Sequence, residues 1–165
     1  MKTTNLLLGL LIALSVFNAC SNQPEIKWQS QLSQDEKDII SKEIIEVSNK
    51  WINDNNDMNP DHIITFWSKS PDLRFAENGV FFANLDSMHS TLKNIYSNTA
   101  SMNVEWLNRD IIPISNYIAL MSGEFKFKLE FKDGSNWEDT IAFTGVFTKE
   151  NKQWNLIQGH ESSKK

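Results

Sequence analysis

From Tyr117 to Phe131 the chain alternates with a period of two, and no other feature constrains the fold as strongly. The odd positions Tyr117, Ala119, Met121, Phe125, Phe127, Leu129 and Phe131 are apolar, while Lys126, Lys128, Glu130 and Lys132 occupy the opposite face. A helix would scatter that set around its axis; a strand collects it on one side, buried, with the charges turned to water. So long a strand needs partners. Met102–Trp106 alternates in the same way. After Phe131, Asp133-Gly134 turns the chain into Trp137–Thr148, and Glu150–Lys152 turns it again into Trp154–His160. Four long antiparallel strands joined as a meander are the expectation. Gly123 and Gly145 lie inside strand text and mark expected bulges where the sheet bends.

The sequence upstream has a different period. Ser33 and Glu36 have the spacing of a capping box, after which Ile40, Ile44, Val47 and Trp51 form one apolar stripe. Asn53-Asp54-Asn55-Asn56-Asp57 ends that helix. Asn59 and Pro60 open a short second helix carrying Ile63, Ile64, Phe66 and Trp67, which Pro71 stops. Asp72–Phe75 reads as a strand, and Asn78-Gly79 is a hairpin signal leading into Val80-Phe81-Phe82. A third helix is expected from Asp86 or Ser87, with Met88, Leu92 and Ile95 on one face. Three helices on one side of a curved antiparallel sheet make an α+β domain, with a concave pocket between the layers.

Ahead of this domain stands a segment of another kind. Lys2 precedes the apolar run Leu6–Phe17, which is short of the roughly 20 residues that span a bilayer and has the make-up of a signal-peptide core. Ala19 and Cys20 follow directly. That ending resembles the bacterial lipoprotein signal, although Phe17 and Asn18 depart from its usual residues. The resemblance implies export to the cell envelope, removal of residues 1–19 and a membrane anchor of acyl chains on Cys20. A plain secretory signal beside an incidental cysteine is the alternative reading. Residues 20–32 then form a polar tether and residues 33–165 the domain. Cys20 is the sole cysteine, so the fold has no intrachain disulfide and is held by its core. Without residues 1–19 the chain carries 15 basic and 21 acidic side chains, net −6. With no basic cluster, nucleic acid is not an expected partner.

The ordered set of elements resembles the nuclear transport factor 2-like superfamily, and within it the SnoaL-like proteins. The resemblance runs from about Glu36 to Ser162. It rests on element order, on the closing Trp154-Asn-Leu-Ile-Gln-Gly-His160-Glu-Ser162, and on Thr140, Thr144, Val146 and Phe147 in the strand before it. It implies a cone-shaped domain with a pocket between sheet and helices. Some members are isomerases, cyclases or dehydratases, while others only bind small molecules or assemble as dimers, so the fold implies a pocket and not a reaction. Placing the steroid isomerases' catalytic aspartate by Gly79 puts it at Ala76, with Glu77 beside it, and their phenol falls near Trp51. Both groups are missing, which argues against that chemistry unless Glu77 has taken the aspartate's role.

Among residues able to do chemistry, His160 is the leading candidate for a general base. If Trp154 and Leu156 are core, alternation turns Gln158 and His160 toward the pocket. A histidine at the pocket mouth, bonded to a neighbour, is the plainer reading. Arg74 shares with Asp72 the face opposite Leu73 and Phe75, where it would hold an anion or simply be solvated. Glu124 belongs to the Lys126 face unless a bulge at Gly123 turns it inward. Asp54, Asp57, Asp61 and His62 fail as a calcium loop, with His62 where glycine is needed and Ser68 where the bidentate glutamate belongs, and read as a helix terminator and cap. His89 lies on a polar helix face. No metal, cofactor, nucleophile elbow or phosphate loop is indicated. The aromatics, Tyr96 among them, are mostly core. The expected pocket set is Trp51, Phe66, Trp67, Arg74, Phe82, Trp106, Tyr117, Gln158 and His160. The expected function is to hold a small, largely apolar molecule. Catalysis through His160 and a non-catalytic interaction module are the alternatives. A homodimer through the outer sheet face follows from the resemblance, with Lys126, Lys128, Glu130 and Lys132 keeping that face polar.

Overall fold

The computed structural model describes residues 31–163. Helix α1 (Gln34–Asn56) opens with the capping box, in which Ser33 N donates to Glu36 Oε2 at 2.8 Å and Glu36 N donates to Ser33 Oγ at 3.3 Å. Its stripe buries Ile40, Ile44 and Trp51, with Val47 packed against them. Helix α2 (Pro60–Ile63) follows, with the Asn59 side chain accepting from the amides of Asp61 and His62, and runs into a 3₁₀ turn, Ile64–Phe66. The hairpin β1 (Arg74–Glu77) and β2 (Val80–Phe82) turns at Asn78 and Gly79, both with positive φ, as a type I′ turn requires. Helix α3 (Leu85–Asn98) starts one residue before the expected position, because Asn84 provides the cap by accepting from Ser87 N at 2.9 Å. The long strands are β3 (Thr99–Ser115), β4 (Ile118–Phe131), β5 (Asn136–Glu150) and β6 (Gln153–Ser163).

The six strands form one sheet in the order β2-β1-β6-β5-β4-β3. The α+β class stands as read, with two corrections. The sheet is not wholly antiparallel, since β1 runs parallel to β6. Nor are all three helices N-terminal to the strands, because α3 comes after the first hairpin. The reason is that the hairpin extends the sheet past the last strand, and the chain then crosses back through α3 to begin β3 at the far edge.

The two strand glycines are not themselves bulged. Register breaks at Leu107 on β3, close to Gly123, and at Ile157 on β6, close to Gly145. A Cβ on Gly123 would lie 2.4 Å from Asn108 O, and one on Gly145 would lie 2.5 Å from a Leu156 methyl. The glycines therefore make room for a bulge on the neighbouring strand.

One continuous core, complete within the described residues, lies between the sheet's inner face and α1, and Phe125, Phe143, Phe147 and Leu156 are almost wholly buried in it. Polar clamps fix the helix. The Asn56 side chain exchanges two hydrogen bonds with the Val104 backbone, at 2.7 and 3.1 Å. Arg109 donates to Ser48 Oγ and Asn49 Oδ1, each at 2.7 Å, and lies over the Trp106 ring. Glu43 accepts from Lys149 at 2.7 Å and Trp154 Nε1 at 2.6 Å, which holds its carboxyl below the usual range.

Candidate functional site

The inner face of the sheet is not filled everywhere. Between α1, α3 and the β1–β6 pair lies a cavity of about 80 Å³. Its walls are Trp51 and Asn55 from α1, Ile63 from α2, Trp67, Phe75 and Phe82 from the hairpin side, and Met88, Leu92, Ile95 and Tyr96 from α3. Phe125 and Phe127 of β4 close it. The rings touch in a chain: Trp51 meets Phe125 edge-on at 5.2 Å, and Trp67 meets Phe75 at 5.8 Å.

Into this apolar space the sheet places two carboxyl groups. Glu77 of β1 and Glu161 of β6 are direct register partners on the inner face. Glu161 is only 8% exposed. Burial, and after it the adjacent Glu77 charge, raises the Glu161 carboxyl well above the usual carboxylate range, and burial also raises Glu77. Among the described residues, no lysine, arginine or histidine lines the cavity. The indole N–H groups of Trp51 and Trp67 are buried beside it with no hydrogen-bond partner among the described residues. Asn55 spans the roof: its Nδ2 donates to Trp51 O at 2.8 Å, and its Oδ1 accepts from Tyr96 OH at 3.1 Å. Burial, then the charges of Asp54 and Glu77, raise the Tyr96 phenol, so it remains a donor.

The residues expected at the pocket divide sharply. Trp51, Trp67 and Phe82 line the cavity. Phe66 and Trp106 lie in the packed core behind it, tilted against Trp51, with Trp106 Nε1 donating to Ser48 O at 3.2 Å. Arg74, Gln158 and His160 do not reach it. Arg74 folds back on the carbonyls of Pro71 and Leu73, and is the register partner of Gln158 on the outer face. His160 is exposed on that same outer face, the reverse of the expected orientation. The cause is the Ile157 bulge, where Phe147 pairs with Leu156 but Val146 pairs with Gln158. One extra residue shifts the phase, so Trp154 and Leu156 face in before it, and Gly159 and Glu161 face in after it. Gly159 is needed there, since a Cβ would lie 2.9 Å from the Phe75 ring.

Tyr117 is 68% exposed and borders a separate open groove with Glu36, Ile39 and Lys149. Glu124 stays on the outer face, bonded to Asn108. The acidic cluster is consumed locally: Asp54 pairs with Lys50, and Asp61 with His89 and Lys93. Cys20 lies outside the described residues.

Sequence reading missed Glu161 and named Glu77 only in passing. The available signal was a glutamate one residue past a histidine in the closing strand, and simple alternation turned it outward. Chemically, the arrangement offers an apolar chamber with free N–H donors. Burial raises both of its carboxyl groups above the ordinary carboxylate range, which favours their protonated forms.

The comparisons agree with this fold. The SnoaL-like domain model matches residues 44–164, and the chain belongs to that family. A putative scytalone dehydratase from Novosphingobium aromaticivorans superposes with a TM-score of 0.72 at 11% identity, covering 81% of this chain and 89% of that one. A nuclear transport factor 2-like superfamily protein from Salmonella enterica gives 0.70 at 15% identity, covering 76% and 92%. A type 2 hexachlorocyclohexane dehydrochlorinase gives 0.69 at 8% identity, covering 81% and 90%. At these identities the likeness is one of fold. No curated protein sequence matches the chain.

Proposed function

We propose that this SnoaL-like domain binds a small, largely apolar molecule in the cavity under α1 and α3, and that the protein carries it at the cell envelope on a lipid anchor at Cys20. The observation that supports binding is the pair of buried indole N–H groups, unpartnered among the described residues, in a largely apolar wall. A buried donor without an acceptor costs about 1–3 kcal/mol, and a ligand with an oxygen or nitrogen acceptor recovers it. The cavity is about half the roughly 150 Å³ that holds a benzene molecule, so the ligand is small or enters by its narrow end. The anchor reading is supported by the apolar run and the position of Cys20 directly after it.

Native mass spectrometry of residues 27–165 purified gently from the source organism tests the binding reading. A co-purifying small molecule is expected, reduced when Trp67 is changed to Phe; a domain empty in every preparation contradicts it. For the anchor, Cys20→Ser is expected to move the protein out of the membrane fraction, and unchanged membrane retention contradicts lipidation.

A second reading is association through the outer sheet face. Ile112, Ile114, Ile118 and Leu120 are exposed there, at the opposite end from the charged Lys126–Lys132 stretch. Sedimentation analysis tests it: a dimer that dissociates in Leu120→Lys supports it, and a monomer at high concentration excludes it.

A further inference from the structure

The two carboxyl groups set a narrower condition on the ligand than apolarity does. Glu77 and Glu161 sit side by side from parallel strands, in a wall made mostly of aromatic and aliphatic side chains, with Asn55 and Thr91 the uncharged polar exceptions beside the Tyr96 phenol. Neither carboxyl accepts a hydrogen bond or meets a basic side chain among the described residues, in contrast with Glu43, Asp54 and Asp61, each of which has a cation. Removing a carboxylate from water costs several kcal/mol unless a charge partner is supplied. Either the pair gives up its charge or it stays charged without a partner; both cost free energy, and packing alone would favour leucine or methionine at both positions.

We propose that the ligand is a small, largely apolar amine that also carries an ether or carbonyl oxygen, held as its ammonium ion between Glu77 and Glu161 with that oxygen toward the indole N–H groups and its carbon body against Trp51, Trp67 and Phe75. This rests on the ligand-binding reading above and narrows it. The ring faces add to the carboxylates, since an ammonium ion over an aromatic face is attracted most strongly where water is excluded. The proton balance is simple. Burial biases the unliganded pair toward its protonated forms; the ammonium ion enters with its own proton, and a carboxyl that still holds one releases it to solvent. Other ionisable groups around the pair are few. Tyr96 faces it from α3, Asp54 of α1 stands behind Tyr96, and no cation lies along β1 or β6 within the cavity.

The test uses residues 21–165, which include the complete described core, and two probes matched in size and shape, methoxypropylamine and methoxypropanol, narrow chains suited to a cavity of about 80 Å³. Binding is measured by titration calorimetry and tryptophan fluorescence. At about pH 8 the amine, with a pKa near the lysine value of about 10.4, remains protonated while the carboxyl groups are readier to ionise. The expected result is at least about tenfold tighter binding of the amine, with a proton released in buffers of different ionisation heat. The advantage shrinks toward about pH 5, where the carboxyls are more firmly protonated. Glu161→Gln and Glu77→Gln each remove most of the advantage while methoxypropanol still binds. Equal or tighter binding of the alcohol overturns the amine proposal and leaves the pocket reading standing. So does an amine preference that survives both substitutions. Binding of neither probe overturns the pocket reading and the amine proposal with it.

Discussion

The two ends of the sheet's inner face are built on opposite terms. Toward β3, β4 and β5 the space under α1 is closed by interlocked rings, with Trp106 against Phe125 at 5.2 Å and against Phe143 at 5.8 Å. Its polar clamps are paired: Trp106 Nε1 has Ser48 O, and Arg109 has Ser48 and Asn49. Toward β1 and β6 the same sheet leaves a cavity, two carboxyls and two indole donors without partners. The first end supplies stability. The second spends some of it to keep reactive groups exposed to a ligand, which is where a folded chain departs from optimal packing.

That contrast can be broken at several points. The largest effect belongs to the packed end: Phe125→Ala or Phe147→Ala is expected to cost about 3–5 kcal/mol in chemical denaturation. A loss below about 1 kcal/mol would mean the rings are not a rigid core. Next is Gly145→Ala. Its methyl would meet Leu156 and Phe143, both buried and unable to withdraw, so a loss of about 1–3 kcal/mol is expected.

The cavity end is sharpened by pH. The folded carboxyls of Glu77 and Glu161 are raised above their unfolded values, so the native state binds more protons than the unfolded chain. Their contribution to stability is fully present below about pH 4.5, the unfolded value, and is lost as pH rises through the folded values. Glu161 alone gives a decline of at most about 1.4 kcal/mol per pH unit while it titrates. Glu161→Gln is expected to flatten that decline in denaturation curves taken across the range; an unchanged slope would contradict the buried pair. The smallest effect is on the outer face. His160→Ala is expected to change stability by less than about 0.5 kcal/mol and to leave ligand affinity unchanged. A large loss of binding in that variant would return the site to the outer face.

Much of the fold could be read before the structure. The alternation of Tyr117–Phe131, the Ser33/Glu36 box and the Asn78-Gly79 turn each act locally, so each survives into the folded chain. The walls Trp51, Trp67 and Phe82 were legible as large apolar groups on inward stripes. The chemistry of the cavity was not. Alternation predicts faces only while register is kept, and a single residue, Ile157, breaks it. That slip placed His160 inward on paper and Glu161 outward, and the molecule has the reverse. Nothing local to Ile157 signals the bulge. It sits where Leu156 packs under Gly145 and just before β6 takes β1 as its parallel partner, both of them long-range contacts.

The most direct test of this account is the titration of the glutamate side-chain carboxyls by ¹³C NMR, with Glu77→Gln and Glu161→Gln spectra for assignment. Glu161 is predicted to titrate well above the ordinary range of about 4.3, and to move down when Glu77 is neutralised. An ordinary value, indifferent to Glu77, would place Glu161 in water and contradict the phase change on which the site depends.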